Sequence, residues 1–301
     1  MIFAAKKLVL GLPVVAGITV ALVAPASAVT FSTSGSTIEF CSDGINTFAD
    51  GEAGRSCNDS LDTILSGNSA APGGNVELGG NDTEGISLQQ FATVPASSLT
   101  ADFGGDTITF SSLTYDDWFG VEGGGIDLRY GANNLANRWF ADAFSALAAS
   151  GSSLVAFGEV AGFNAFLTGN TPAGSFGTLF GRFSDPNIAY VNDDGSEYVF
   201  GLAGHKDAGQ VLPILAGLTA SEVVKVTYGG ESEFLYSFGA PTDSGQVGAA
   251  DGKSHNGNFE FAIAKPNSGG GILSESVPEP ASILGLVAVG GLLAARKRLQ
   301  K

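Results

Sequence analysis

NIAYVNDDGSEYVFGL, Asn187 to Leu202, decides the fold class. Two runs rich in β-branched and aromatic residues, IAYV and EYVFGL, flank a turn of Asn192, Asp193, Asp194 and Gly195. Asp-Gly is favoured at hairpin turns because both residues tolerate positive φ, so the stretch predicts two antiparallel strands. The same acids resemble part of a calcium loop, but the ligand alternation with a closing glutamate is missing, and the turn is the better reading.

The pattern continues outward. Val223 to Tyr228 turns through Gly229 and Gly230 into Phe234 to Phe238, a second hairpin, and Phe259, Phe261 and Ile263 alternate as a last strand. Upstream, Asp106 to Leu113 alternates Ile108 and Phe110 with polar neighbours, and Val29 to Phe40 reads as a first strand. Tyr115 to Tyr130 reads as a further hairpin with core aromatics. Leu154 to Leu167 and Gly174 to Phe183 set Phe among Gly, where absent side chains leave room for rings in packed strands. Asp59 to Asn81, rich in Gly, Asn and Ser, reads as a surface excursion with one helical turn near Leu61.

One helix stands out. Leu135, Trp139, Ala143 and Leu147 recur at fourth-residue spacing from Asn134 to Ser150, with Gly151 where a helix ends. The expectation is a mainly β body, an antiparallel β-sandwich or jelly-roll-like fold with one packed α-helix. Thr219 and Glu222 are spaced as a capping box and predict a short helical turn.

Both ends carry addresses. Lys6 and Lys7, an apolar stretch from Leu8 to Val23, and the small residues Ala26, Ser27 and Ala28 form a secretory signal peptide, residues 1–28, with cleavage after Ala28. At the other end, Pro278, Glu279 and Pro280 precede an uncharged apolar run from Ala281 to Ala295, and Arg296, Lys297 and Arg298 follow as a stop-transfer cluster. Fifteen residues are fewer than the ~20 of an ordinary span. The Gly-rich run, the basic stop and the export signal nevertheless agree on a transmembrane helix.

This three-part tail resembles the PEP-CTERM sorting signal of exported bacterial proteins, and the Gly/Phe-rich body is similar to uncharacterised cyanobacterial members. The resemblance covers the 25 residues Val277 to Lys301. It implies recognition of Pro278, Glu279 and Pro280 by exosortase after passage through the general secretion machinery. It also implies transient anchoring in the inner membrane, release to the cell surface or extracellular space, and association with extracellular polysaccharide. The chain divides into the signal peptide, a β-rich exported domain over 29–264, a flexible linker over 265–276 and the sorting signal over 277–301.

Charge and cysteines suit such a destination. Between Val29 and Ser276 there are eight basic against 29 acidic residues, a net −21. That repels phosphate backbones, so nucleic acid is excluded as a partner class, while cations and neutral glycans remain. Cys41 and Cys57, the only cysteines, predict a structural disulfide rather than a metal or redox pair.

Signals for chemistry are sparse. Neither a Gly-x-Ser-x-Gly elbow nor a His-Glu-x-x-His motif occurs. The two histidines, His205 and His255, read as exposed loop residues. Asp116, Asp117, Trp118 and Glu122 combine acids with an aromatic and could form a calcium or glycan loop; no other cofactor and no metal site is expected. The leading expectation is a non-enzymatic surface or matrix protein that binds carbohydrate or calcium. The alternative is a secreted hydrolase acting on extracellular polymer, which should show a deep pocket where polar groups converge.

Overall fold

The computed structural model describes residues 29–265 except 84, 153, 154, 157, 172, 173 and 211–214. The signal peptide with Ala26 and Ala28, the sorting motif Pro278, Glu279 and Pro280, and the stop-transfer residues Arg296, Lys297 and Arg298 lie outside the described residues.

The body is mainly β and its main sheets are antiparallel, as alternation along the chain predicts. Five strands lie in the spatial order Thr30–Ser34, Ser98–Asp102, Thr107–Ser111, Val224–Tyr228 and Glu231–Leu235, each antiparallel to its neighbours. A second sheet of eight strands runs Thr242–Asp243, Gly257–Ala264, Glu197–Gly204, Asn187–Asp193, Gly74–Leu78, Thr37–Ser42, Asn46–Phe48 and Val247–Gly248. Only its last pair is parallel. The Asn187 hairpin sits near the middle of this sheet, its turn formed around Gly195 at φ 96°.

Burial follows from the period of two. Leu99, Phe110 and Val226 of the smaller sheet share one apolar core with Val76, Ile188, Phe200 and Phe261 of the larger. Phe110 meets Phe200 across the sheets at 4.8 Å between ring centroids, and Phe261 stacks on Phe200 at 5.4 Å. Fully burying a side chain of this size contributes about 1.5–3 kcal/mol. Two glycines make the geometry possible. Gly35, at φ 86°, turns the chain from one sheet into the other, where a Cβ would lie 2.7 Å from Ser97 Oγ. Gly201 sits under the Tyr190 ring, which a Cβ would approach to 2.2 Å.

A second core is helical. The predicted helix is Leu135–Ala149, started by the Asn134 side chain accepting from the Asn137 amide. Its apolar stripe packs with Trp118, Phe163, Phe166, Phe180 and Phe183, and with Leu113 and Val223 beside the smaller sheet.

Several expectations are corrected. Glu159–Thr168 is a second helix, not a strand, because Phe163, Phe166 and Leu167 share one helix face; Val160 points to solvent and Gly169 closes the end at φ 67°. Tyr115–Phe119 is a capped helical turn, leaving only a single Gly120–Ile126 bridge of the expected hairpin. Gly181–Phe183 is a 3₁₀ turn whose Phe183 enters the helical core. Val29 to Phe40 forms two strands in different sheets, split by Gly35. Within the Gly-rich excursion, Gly74–Leu78 is a buried strand between Thr37–Ser42 and Asn187–Asp193. Its short NVEL pattern offers too few alternations to separate it from loop.

Candidate functional site

The hairpin places a cleft at its open end, away from the Gly195 turn. Asn187 begins one strand there, and His205 immediately follows the other, whose last residue Gly204 pairs with Gly257. His255 precedes that third strand by two residues, so the two histidines flank one end of the sheet. Both line a cavity of about 280 Å³, together with Glu77, Asp185, Glu222 and Asp251.

His255 is held firmly. Its residue is 9% exposed and sits in the left-handed region at φ 59°, with the carbonyl accepting from Ser244 Oγ at 2.8 Å. Nδ1 lies 2.9 Å from Thr47 Oγ1 and 3.3 Å from the Asn75 side-chain amide, and the ring edge meets Phe40 at 5.1 Å. Burial, reinforced by the nearby His205, depresses its pKa to about 4. His255 is therefore neutral at pH 7 and free to offer Nε2 to the cavity. Asp251 accepts from the Ser254 and Lys253 amides and from Ser254 Oγ. Burial raises its pKa, but those bonds win and hold it below the ordinary carboxylate range.

Glu222 is the unexpected member. The Thr219 to Glu222 capping pattern forms no helix: Thr219 Oγ1 donates to the Lys206 carbonyl, and Ala220 bridges His205. The freed carboxylate accepts from the Asn187 amide at 3.3 Å. Asn187 is the cross-strand partner of Glu77, which places the two glutamates beside one another. Burial first, and then the Glu77 charge, push Glu222 up to about 8. Glu222 is half-buried and lines the cleft.

These shifts predict a pH profile. Between about 4.5 and 8 folded Glu222 holds a proton that the unfolded chain has lost, so folding weakens as pH rises. His255 acts oppositely: its unfolded form binds a proton below about 6.5 and the folded form does not until about 4, so its contribution is lost as pH falls through that window. The two oppose below 6.5, and above it only Glu222 acts. Stability should drop by about 2 kcal/mol from pH 6.5 to 8. Glu222→Gln should flatten this limb in melting curves, whereas an unchanged slope would place the proton elsewhere.

The acidic aromatic stretch is divided between core and surface. Trp118 is fully buried, its Nε1 donating to Ser184 Oγ at 2.7 Å, so it presents no ring to a sugar. Asp117 completes the cap with Thr114 and pairs with Lys225 at 2.8 Å. Asp116 and Glu122 are exposed. Cys41 and Cys57 form the disulfide. Among the described residues, no group of three or more His, Cys, Asp or Glu side chains is arranged to hold a metal ion, and no helix is long and apolar enough to cross a membrane. No protein-family model, curated protein or solved structure matches the chain.

Sequence reasoning missed the cleft because its members come from six separated segments. The available signal was positional: both histidines adjoin strands of one sheet, with carboxylates nearby in sequence.

Proposed function

We propose that this chain is an exported bacterial surface or matrix protein whose body, a β-sandwich with a helical layer, binds a ligand in the cleft beside the Asn187–Gly204 hairpin. The cleft carries the binding half of the proposal: a cavity of about 280 Å³ in which both histidines meet several carboxyl groups is close to the ~300–1,000 Å³ of small-molecule sites. Export rests on the signal peptide and on the tail with Pro278, Glu279 and Pro280; the Cys41–Cys57 bridge suits an oxidising compartment. In this reading residues 281–295 anchor the chain in the inner membrane until exosortase releases it. Mass spectrometry of both mature termini, from hosts with and without exosortase, tests the route. An unprocessed C-terminus in the exosortase-positive host would remove it.

The secreted-hydrolase reading is favoured by one specific observation. Glu222, able to hold a proton at pH 7, faces a cavity shared with other carboxyl groups and with neutral His255, a set suited to proton transfer. Turnover of an extracellular polymer that disappears in both Glu222→Ala and His255→Ala would favour it over simple binding.

A further inference from the structure

The five-stranded sheet has one unprotected edge. Thr30–Ser34, TFSTS, pairs with Ser98–Asp102 on one side and, among the described residues, with no strand on the other. Backbone amides and carbonyls along such an edge form a template for a further strand. The other edges are each blunted. Glu231–Leu235 carries Glu231 and Glu233, both exposed. The larger sheet ends in the two-residue strands Thr242–Asp243 and Val247–Gly248, too short to template a partner. Gly257–Ala264 runs on past the first of these, but its Phe261, Ala262 and Ile263 are 3% exposed or less, so that stretch is covered. Of these edges, Thr30–Ser34 alone combines length, exposure and absence of charge.

We propose that two copies of the exported chain pair through Thr30–Ser34, antiparallel about a two-fold axis at Ser32, joining their five-stranded sheets into one of ten. From the export reading this takes only the removal of residues 1–28; it goes beyond the cleft and does not depend on it. Charge favours a second copy at this place. On a body of net −21 the outer face beside the edge presents neutral hydroxyls, Ser32 opposite Thr100 and Thr100 opposite Thr109. Register follows from burial. Thr30, Ser32 and Ser34 are exposed, whereas Phe31 and Thr33 are half-buried and lie opposite the core residues Ala101 and Leu99. A slip by one residue would set inward against outward side chains, so the axis must pass through a residue, and Ser32 is the one that pairs all five. Thr30 then faces Ser34 of the second copy, and Phe31 faces Thr33, which covers the half-buried ring at the sheet's flank. Asp102, beside Thr30, and its copy fall at opposite ends of the seam and do not meet. With one open edge per chain the contact is isologous and closes at two copies, giving a dimer and not a fibre.

Sedimentation equilibrium of the mature chain reads the mass directly, at about 0.15 M salt, where the Debye length of ~8 Å screens most repulsion between the acidic bodies. A five-residue strand pair buries less than the ~1,200 Å² at which stable complexes begin, so half-dimerisation is expected at roughly 10–100 μM. Ser32→Lys and Ser32→Asp each set two like charges face to face at the axis and should weaken the dimer roughly fivefold or more, while an equimolar mixture of the two should restore it. Ser32 is exposed on the outer face, so both variants should melt as the wild type does. Register has its own readout. Ser32→Cys lies opposite its copy at a Cα separation of about 4.5–5.5 Å, suited to a disulfide, whereas Ser34→Cys lies about 13 Å along the strand from its copy. With oxidised glutathione the first should form a covalent dimer roughly tenfold faster than the second. A wild type that stays monomeric up to its solubility limit would overturn the pairing and leave the edge to another occupant, such as residues 266–276 or a foreign strand. A dimer indifferent to Ser32→Lys, or equal cross-linking by the two cysteines, would place the interface elsewhere and overturn it equally.

Discussion

Trp139→Ala should destabilise the protein by about 4 kcal/mol, the largest effect expected of any single side chain here. Trp139 is fully buried on the Leu135–Ala149 helix and lies at the hub of the helical core. Its ring centroid is 4.5 Å from that of Phe183, 5.7 Å from Trp118 and Phe166, and 5.6 Å from Phe238. Those rings come from four other segments, so truncation leaves a cavity that no single segment can collapse to fill. Trp139→Phe separates packing from polarity. Among the described residues the Trp139 Nε1 donor is buried without a hydrogen-bond partner, which penalises the native indole. Phenylalanine removes that penalty and most of the cavity, so its cost should be well under half that of alanine. Equilibrium urea unfolding measures both. Equal losses for the two variants would mean that the indole is satisfied or that the core refills.

Much of the fold was legible where one residue type answers one physical demand. The Asp194-Gly195 turn, the Gly229-Gly230 turn and the stripe from Leu135 to Leu147 each need only local information, and each appears in the structure where its pattern lies. Leu154 to Leu167 is ambiguous because Phe163 and Phe166, three apart beside Gly162, suit ring packing against glycine in strands as well as one face of a helix. The site was hidden for a different reason. Glu222 looks like a cap because Thr219 stands three residues before it, but the chain there bridges His205, and the carboxylate turns inward instead. Likewise, nothing adjacent to His255 shows that Thr47 and Asn75 hold its ring from 208 and 180 residues away. A sequence reports what a segment prefers, whereas this cleft depends on which segments meet.

Removing the disulfide by Cys41→Ser with Cys57→Ser should cost about 3 kcal/mol, because the bridge closes a loop of 16 residues and restricts the unfolded chain. For a body of this size that lowers the melting temperature by roughly 6–12 °C. The effect should not be confined to stability. Asn46–Phe48 lies inside the loop, pairs with the Cys41 strand and with Val247–Gly248, and carries Thr47 to His255. Glu52, on the cleft wall, belongs to the same loop. Local bonds also order it: Asp43 accepts from the Ile45 and Asn46 amides and pairs with Arg55. If the bridge is what fixes the loop, the double variant should lose ligand affinity at temperatures well below its own melting point, and His255 should titrate closer to the ordinary histidine range as Thr47 withdraws and water enters. If the Asp43 turn suffices, melting will shift while His255 titrates as before. Proton NMR of the imidazole across pH 3–8 therefore decides whether the disulfide stabilises the whole body only through its unfolded state or also shapes the cleft.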